Sequence, residues 1–449
     1  MQIQDAKNVH MVGIKGVGMT ALALILHQMG KKVQGSDVAD IYKTDSVLKN
    51  NKINILQGFS KENINDDIDL VITTAAHGGL ANIEVETAKE RSIHVLTHAQ
   101  ALGQTMKLFK IKISVCGSHG KTTVSAMAAY VFHELGVKFG YHVGTASFSG
   151  LESGGFTGFD YFVTEADEYM ASPGIDDTPR FMYQDPDIII ATNIDYDHPD
   201  VYRNLDHVKD AFKDFIEKLT HNNGTLIYYK NDVLLKEIVQ NLTLQMNSAY
   251  DLQSVNDLIL NIPGKHNLLN AASVMQLFQT LGFDRNKVHN LLTTFSGSSR
   301  RSEKIYESFG LILYDDYAHH PLEIAVTIDA FRRQYPTRRL IVIFQPHTYS
   351  RTNTFKAGFI QALAKADLAL VTEIFSSKRE NAADFTIDSQ SLVAEARVKG
   401  YNNIFYCPIN ELKDKLTTLI KSGDVIITMG AGSIYQAHSD IIEVIKLKS

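Results

Sequence analysis

Two cysteines in 449 residues, Cys116 and Cys407, stand far apart and outside any CxxC or Cys/His cluster. That scarcity argues against a disulfide framework and a structural zinc site, and it fits a reducing cytoplasm. Long basic runs are missing, and the formal net charge is -6. Nucleic acid and anionic membrane surfaces are therefore not expected as partners, and any phosphate must be held locally. Long apolar stretches are missing too: nothing approaches the roughly 20 uninterrupted residues of a membrane span. The apolar segment near the start is broken by Lys15, by glycines and by His27-Gln28, with no small-residue cleavage pattern after it, so it does not read as a signal peptide. Low-complexity tracts and short repeats are absent, which excludes a solenoid. What remains is 44% hydrophobic, 9% aromatic and 21% charged, a globular composition, and the length implies roughly two to four domains, with three expected.

Apolar strands alternate with helical segments through the first hundred residues: "VHMVGI", "TALALILHQMG", "KKVQGSD", "DLVITTAA" and "IHVLTH". Strand, helix, strand in this order predicts an α/β fold with parallel sheets, whose ligands sit at the carboxyl ends of the strands. The pattern restarts at "FKIKISVCGSHGKTTVSAMAAYVFHELG", continues through "DYFVTEAD", "PDIIIATNID" and "GTLIYY", and closes on a last helix "NLLNAASVMQLFQTLG". After "FSGSSRRSEK" it restarts with "GLILYDDYA", "RRLIVIFQPH", "LALVTEIF", "NIFYC" and "DVIITMGAGSI". The expected domains are residues 1–107, 108–297 and 298–449.

"GSHGKTT" at 117–123 follows a strand and opens a helix, as a phosphate-binding loop requires. Its glycines admit backbone N–H groups to phosphate oxygens, Lys121 supplies charge to the β and γ phosphates, and Thr122 can put its hydroxyl on magnesium. Val115 occupies the position where the full motif has glycine. "TEADEYMASP" brings Glu165, Asp167 and Glu168 to a strand end, suited to Mg²⁺, although such a cluster alone is more often a solvated turn or helix start. "ATNIDYDHPD" offers Asn193, Asp195, Asp197 and His198, and "IPGKHNLLNAAS" offers His266, Asn267 and Asn270, for which simple helix capping is the alternative. The arginine pair of "SGSSRRSEKI" suits phosphate. With Asp316, His319 and His320 of "YDDYAHHPLEI" and His347 and Arg351 of "FQPHTYSRT", it adds further polar groups at strand ends, consistent with a shared cleft between domains.

In this order the motifs closely resemble the Mur ligases, the ATP-dependent amide-forming enzymes of bacterial peptidoglycan precursor synthesis. The resemblance runs through "GIKGVGMTALA", "GSD", "GSHGKTT", "EADE", "TNIDYDH", "PGKHNLLNA", "GSSRR", "DDYAHHP", "FQPHTYSRT" and "MGAGSIY". It implies an N-terminal Rossmann-like domain for a UDP-sugar, a central P-loop ATPase-type mononucleotide-binding sheet, and a C-terminal Rossmann-like domain that admits the amino acid. "DDYAHHP" with "FQPHTYSRT" is most similar to the branch that joins L-alanine to the lactyl carboxylate of UDP-N-acetylmuramate through an acyl phosphate, with ADP and phosphate released.

The same resemblance assigns roles. Gly117, Ser118, His119, Gly120, Lys121, Thr122 and Thr123 would surround ATP. Thr122 and Glu165 would hold one Mg²⁺ and His198 a second. His266, Asn267 and Asn270 would lie by the adenine, and Arg301 and Asp316 would face the nucleotide. His319 and Arg351 would meet the incoming amino acid or the acyl phosphate, with His319 a candidate base for the amine. Read as G-x-x-G-x-G from Gly13, the first loop would cradle the UDP-sugar diphosphate with Gly16, Val17, Gly18 and Lys15, while Ser36 and Asp37 address the uridine.

Two departures stand out: Lys15 replaces a glycine usual in this branch, and Tyr169, Met170 and Pro173 stand where small or acidic residues are common. The tyrosine after "EADE" is similar to a sister ligase that attaches an L-Ala-D-Glu-diaminopimelate tripeptide to the same sugar nucleotide. The expected partners are therefore small molecules, with no nucleic acid or membrane, and the chain is expected to be a cytoplasmic monomer or homodimer whose third domain swings on closure. Two other classes remain open: an NAD-dependent oxidoreductase, for which Lys15 sits where the G-x-G-x-x-G fingerprint from Gly13 needs glycine, and a nucleotide-sensing protein without turnover.

Overall fold

A buried strand, a glycine turn and a helix form the unit that recurs along this chain. The computed structural model describes residues 2–376, 380 and 382–448. The first sheet contains β1 (Asn8–Val12), β2 (Lys32–Asp37), β3 (Asn54–Gln57), β4 (Leu70–Thr73) and β5 (His94–Thr97), all parallel, in the order β3-β2-β1-β4-β5. This is a Rossmann-like arrangement, and the strand order reverses at β1, so a crevice opens beyond its carboxyl end. Val12 pairs with Ser36 on one side and Thr73 on the other. The Gly13 turn therefore emerges between two strand ends. Gly13 has φ +78°, and a Cβ there would lie 2.4 Å from Thr74 Cγ2.

The second sheet contains β6 (Ile111–Cys116), β7 (Phe139–Phe148), β8 (Leu151–Phe156), β9 (Tyr161–Glu165), β12 (Ile188–Ala191), β13 (Thr225–Tyr229) and β14 (Met246–Tyr250). Their order is β14-β13-β12-β6-β9-β7-β8, parallel except for the β7–β8 pair, and β10 (Met170–Ser172) with β11 (Asp176–Pro179) forms a separate hairpin. Ile188, Ile189, Ile190 and Ala191 are all buried, the continuous apolar run of a strand covered on both faces. Register aligns Cys116 with Ala191 and Val115 with Glu165. Three motif-bearing strand ends thus share one edge. The first two sheets belong to one compact unit, Met1–Tyr196, Val201–Asn261 and Leu268–Ser296. Within it the helix Val17–Gln28 is buried over eight consecutive residues from Met19 to Leu26, and it packs on β8.

The other unit comprises Gly297–Ser449 with the short segments Asp197–Asp200 and Ile262–Asn267. Its sheet runs β15 (Glu303–Ser308), β16 (Leu311–Asp316), β20 (Val425–Met429), β17 (Leu340–Phe344), β18 (Leu368–Val371) and β19 (Ile404–Tyr406), with only the edge strand β15 antiparallel. Apolar side chains from both faces, Ile312, Ile328, Val342 and Phe359 on one and Leu313, Ile343, Leu416 and Ile441 on the other, make two cores.

Several features differ from the sequence reading, among them these. The helix Lys265–Thr280 is followed by another, Arg285–Thr294, so "NLLNAASVMQLFQTLG" is not the last of the middle segment; the second helix buries only Val288 and Leu292 and its apolar period is faint. β15 precedes "GLILYDDYA" as a half-exposed edge strand. β7 carries a weak strand signal because glycine replaces bulk where neighbours crowd it: a Cβ on Gly140 would lie 2.6 Å from Phe109 Cζ.

Candidate active site

β6 delivers Gly117–Gly120 into the amino end of the helix Lys121–Glu134, where backbone N–H groups without helical partners converge. Neither loop glycine tolerates a side chain. Gly117 (φ +133°) would place a Cβ 2.0 Å from Thr192 Oγ1, and Gly120 (φ +89°) would place one 2.8 Å from Asn270 Oδ1. Asn270 therefore lies beside the phosphate loop itself. The loop is tied to the end of β12: Ser118 N donates to Asn193 O at 3.0 Å, His119 N to Asn193 Oδ1 at 2.9 Å, and Thr192 Oγ1 to His119 O at 2.6 Å. The Ser118 hydroxyl donates to Asp195 O at 2.9 Å, and His119 Nε2 lies 3.2 Å from Asp195 Oδ2.

Lys121 is bound within its own loop and to the acidic segment. Its ammonium donates to Gly117 O at 2.6 Å and to Glu168 at 2.8 and 3.1 Å. Burial lowers its pKa, but the charges of Glu168, Asp167 and Glu165 outweigh that and raise it, so the cation is fixed at any physiological pH. Thr122 Oγ1 donates to Glu165 Oε2 at 3.1 Å, and Glu165 Oε1 accepts from Gly144 N. Thr123 is buried in the first turn. Asp167 pairs with Arg180 at 2.6 Å, and that guanidinium lies 5.5 Å from the centre of the Tyr169 ring. The sequence pointed to Glu165, Asp167 and Glu168 as a group. It did not reveal that Glu168 is the partner of Lys121.

At the first loop, Gly16 and Val17 begin the helix Val17–Gln28 with Gly18 in its first turn. Lys15 is 7% exposed, and its ammonium donates to Val38 O and Asp40 O at 2.9 Å each, 3.4 Å from Asp45 Oδ2. That cation is turned onto the segment after β2. Lys15 N donates to Asp37 Oδ2 at 2.7 Å, so Asp37 braces the loop. Ser36 has no exposure, and its hydroxyl donates to Glu84 within a buried group that also contains His10. The structure thus does not bring the Ser36 hydroxyl to the loop. A cavity of about 590 Å³ opens beside Lys15 and Asp37, lined also by Lys49 and Lys52.

The second unit gathers another polar group. Arg351, from the helix Tyr349–Thr354, donates through Nε and Nη2 to Asp197 Oδ1 at 3.0 and 2.8 Å. Its remaining edges approach His198 Nδ1 (3.5 Å) and His347 Nδ1 (3.4 Å). Burial acts against ionised Asp197, but His198, Arg351, His319 and His320 hold its carboxyl well below the usual range. His198 adopts φ +55°, an uncommon conformation for a side-chain-bearing residue. His319 Nδ1 lies 2.9 Å from Tyr317 O. Since a carbonyl only accepts, the proton is assigned to Nδ1 and Nε2 keeps its lone pair.

Asp316 accepts from Ser302 N and Ala318 N at 2.8 Å each, yet burial pushes its carboxyl up to about 6. Of the paired arginines, Arg300 is built into the fold through Asp315 (3.0 Å) and Gly430 O (2.6 Å), whereas Arg301 lies 5.1 Å from the centre of the Tyr317 ring. Asn267 Nδ2 donates to Pro263 O at 2.6 Å. His266 packs against Gly264, where a Cβ would lie 2.5 Å from its ring.

Burial is the main cause that depresses His98 to about 3 and His142, His266 and His319 to about 4, and it lowers His94 as well. Their folded values lie below the ordinary 6.5, so the stability they contribute is present above that value and is lost as the pH falls towards 4. Asp316 is raised and acts oppositely, its contribution fading as the pH rises through about 6. Near pH 5, unfolding should take up about three protons net, so stability should rise by up to about 4 kcal/mol per pH unit. Denaturant unfolding at pH 5, 6 and 7 checks this; a flat profile would contradict it.

Comparison with known proteins agrees with this geometry. The family model "Mur ligase family, catalytic domain" matches residues 8–110, "Mur ligase middle domain" matches 115–257, and "Mur ligase, glutamate ligase domain" matches 300–432. A UDP-N-acetylmuramate–L-alanine ligase of Desulfitobacterium hafniense is 33% identical over 97% of this chain and 99% of its own. One from Syntrophomonas wolfei is 33% identical, covering 99% and 98%. Among solved structures, the UDP-N-acetylmuramate-alanine ligase of Thermotoga maritima matches with TM-score 0.78 at 26% identity over 98% of this chain and 100% of that one. A murein peptide ligase of Psychrobacter arcticus shares the fold, with TM-score 0.74 at 23% identity over 98% of each chain. The chain belongs to the Mur ligase family.

Proposed function

We propose that this protein is the ATP-dependent ligase that joins L-alanine to the lactyl carboxylate of UDP-N-acetylmuramate, acting in the cytoplasm on a peptidoglycan precursor needed for cell shape and division. The observation that carries the reading is the phosphate loop with Lys121 fixed by Glu168 at 2.8 Å and the Thr122–Glu165 pair at 3.1 Å. Both reactants of the first step are anions, and their repulsion demands preorganised positive charge. Lys121 supplies one such charge, and the N–H groups of Gly120–Thr123 supply partial charges, those of Ser118 and His119 being held by Asn193. We divide the chain into a UDP-sugar domain at 1–107, an ATP domain at 108–297 and an amino-acid domain at 298–449.

A hydroxyl and a carboxylate are the hard oxygen donors that Mg²⁺ accepts, so Thr122 and Glu165 fit one ion, and we assign His198 to a second. Bound there, magnesium would neutralise charge on the transferred phosphoryl group. The protein's own groups do the rest. Val17 and Gly18 present N–H groups to the sugar-nucleotide diphosphate, Gly16 closes the turn on Gly13 O at 3.3 Å, and Asp37 holds that loop in shape. Asn270 is placed by the loop, while His266, Asn267, Arg301 and Asp316 are assigned to the nucleotide. His319, neutral with a lone pair on Nε2, can accept a proton from the alanine ammonium. Arg351 is assigned to the anionic acyl phosphate.

A second reading, the tripeptide ligase, is favoured by Tyr169, a buried aromatic under Arg180 in place of a small or acidic residue. Phosphate release and mass-spectrometric product analysis with UDP-N-acetylmuramate separate the two. L-alanine should exceed the tripeptide in kcat/KM by roughly a hundredfold. Preference for the tripeptide would move the protein to the sister activity, and turnover with neither would defeat both.

A further inference from the structure

His98 and His142 lie outside every motif used above and meet at the first glycine loop. His98 opens the helix His98–Met106, and His142 stands in β7 paired with Thr164 of β9. Their Nε2 atoms are 3.2 Å apart, and His142 Nε2 is 3.0 Å from Gly18 O. A Cβ on Gly18 would lie 3.3 Å from His98 Cε1 and Nε2 and 3.6 Å from His142 Nε2, so the bare glycine lets both rings reach the turn. A carbonyl only accepts, and Gly18 is a backbone hydrogen-bond partner of both rings, so one Nε2 carries a proton and the other faces it with a lone pair. One proton therefore serves two acceptors.

A second proton on this pair would set two N–H donors face to face in a buried site. Burial accordingly holds both rings neutral in the free protein, at about 3 and about 4. An anion alongside reverses that balance, because it accepts from both rings and cancels the charge. Gly18 belongs to the first turn of the helix whose amino end is assigned to the diphosphate. Two residues beyond His142, Gly144 N donates to Glu165. The pair thus connects the first loop to the strand that braces the phosphate site. The charged groups on the surrounding elements are Asp167 and Arg180, already paired at 2.6 Å, and Glu165. None of these leaves a net positive charge for the incoming diphosphate.

We propose that His98 and His142 form a proton-coupled positioning element for the sugar nucleotide: the arriving diphosphate draws one proton from solvent onto the pair, whose N–H groups then turn to the anion. The inference rests on the functional reading above. Because the bound form holds an extra proton, affinity falls as the pH rises through the pair's value in the complex, with a limiting slope of about tenfold per pH unit.

Calorimetric titration of UDP-N-acetylmuramate into the full chain at pH 6, in two buffers of unequal ionisation enthalpy, reads the proton directly. The expected result is uptake approaching one proton. It should vanish in His98→Gln and in His142→Gln, where an amide keeps a donor that does not titrate, and the affinity of either variant should lose the pair's dependence on pH between 6 and 8. Two variants guard against one failing to fold. Binding without proton uptake, or uptake that persists in both variants, overturns the inference alone. No binding of the nucleotide at any pH overturns the functional reading, and the inference with it.

Discussion

Exchanging Lys121 for methionine is expected to reduce ATP-dependent turnover about a thousandfold or more, because a fixed cation aimed at developing phosphoryl charge is worth at least as much as one oxyanion-hole donor. The same change should destabilise the protein by about 3–5 kcal/mol, since it strands a buried carboxylate. Glu168 is only 2% exposed, and its contact with Lys121 is 2.8 Å. The two effects separate in the double variant Lys121→Met/Glu168→Gln, which removes both charges. Denaturant unfolding should show most of the lost stability restored, and phosphate release should stay abolished. Recovery of turnover in the double variant would mean that the lysine serves the fold and not the reaction.

Arg351→Met should be the most damaging single change in the second unit. Asp197 and Arg351 are 8% and 5% exposed at the side chain, and removal of one partner from such a pair costs about 3–5 kcal/mol. Burial is the largest influence on Asp197 and acts to raise its pKa. Without the guanidinium, His198, the largest of the opposing influences, still acts with His319 and His320, so the depression of the carboxyl is reduced and not abolished. In the parent protein the depressed carboxyl contributes stability that is lost only as the pH falls through its low folded value. In the variant the penalty should be present near neutrality and shrink as acid protonates Asp197, so the gap between the two proteins narrows below pH 5. Arg351→Lys should recover only part of the loss, because an ammonium cannot place two N–H donors on Asp197 and still border both histidines. Matched unfolding curves at pH 5 and 7 test the stability claims. The KM for alanine, expected to rise at least tenfold, tests the assignment of this group to the second half-reaction.

The parts of this structure that were legible in the sequence are those whose physics is local. "IIIA" and "LIVIF" read as covered parallel strands because both faces are apolar, and "GSHGKTT" read as a phosphate loop because glycines, a lysine and a helix start are contiguous. Long-range partners were not legible. Lys121 and Glu168 are 47 residues apart and meet only because β6 and β9 are neighbours. Arg351 and Asp197 are separated by 154 residues. Lys15 could be seen as an odd residue in a glycine loop, but its destination depended on the carbonyls of Val38 and Asp40. Ser36 was misaimed for a similar reason: a strand-end serine was read as facing ligand, while Glu84, 48 residues on, takes its hydroxyl inward. The strands without a legible signal, β3, β7, β8, β10, β11, β14 and β15, are short, rich in glycine or polar residues, or at an edge, where alternation weakens.

The missing side chains of two glycines bear on how this chain can be recombined. A Cβ on Gly154 would lie 2.2 Å from Ala21 O, and one on Gly103 would lie 2.1 Å from Tyr183 O. Each contact joins a residue from the first hundred or so to one from the following stretch, with backbone against backbone and no flexible group to yield. A crossover between relatives near residue 107 would divide both pairs. Offspring sequences would tolerate it only where the first half keeps glycine at 103 and the second keeps it at 154, so the first two-thirds of the chain should be inherited as a single block.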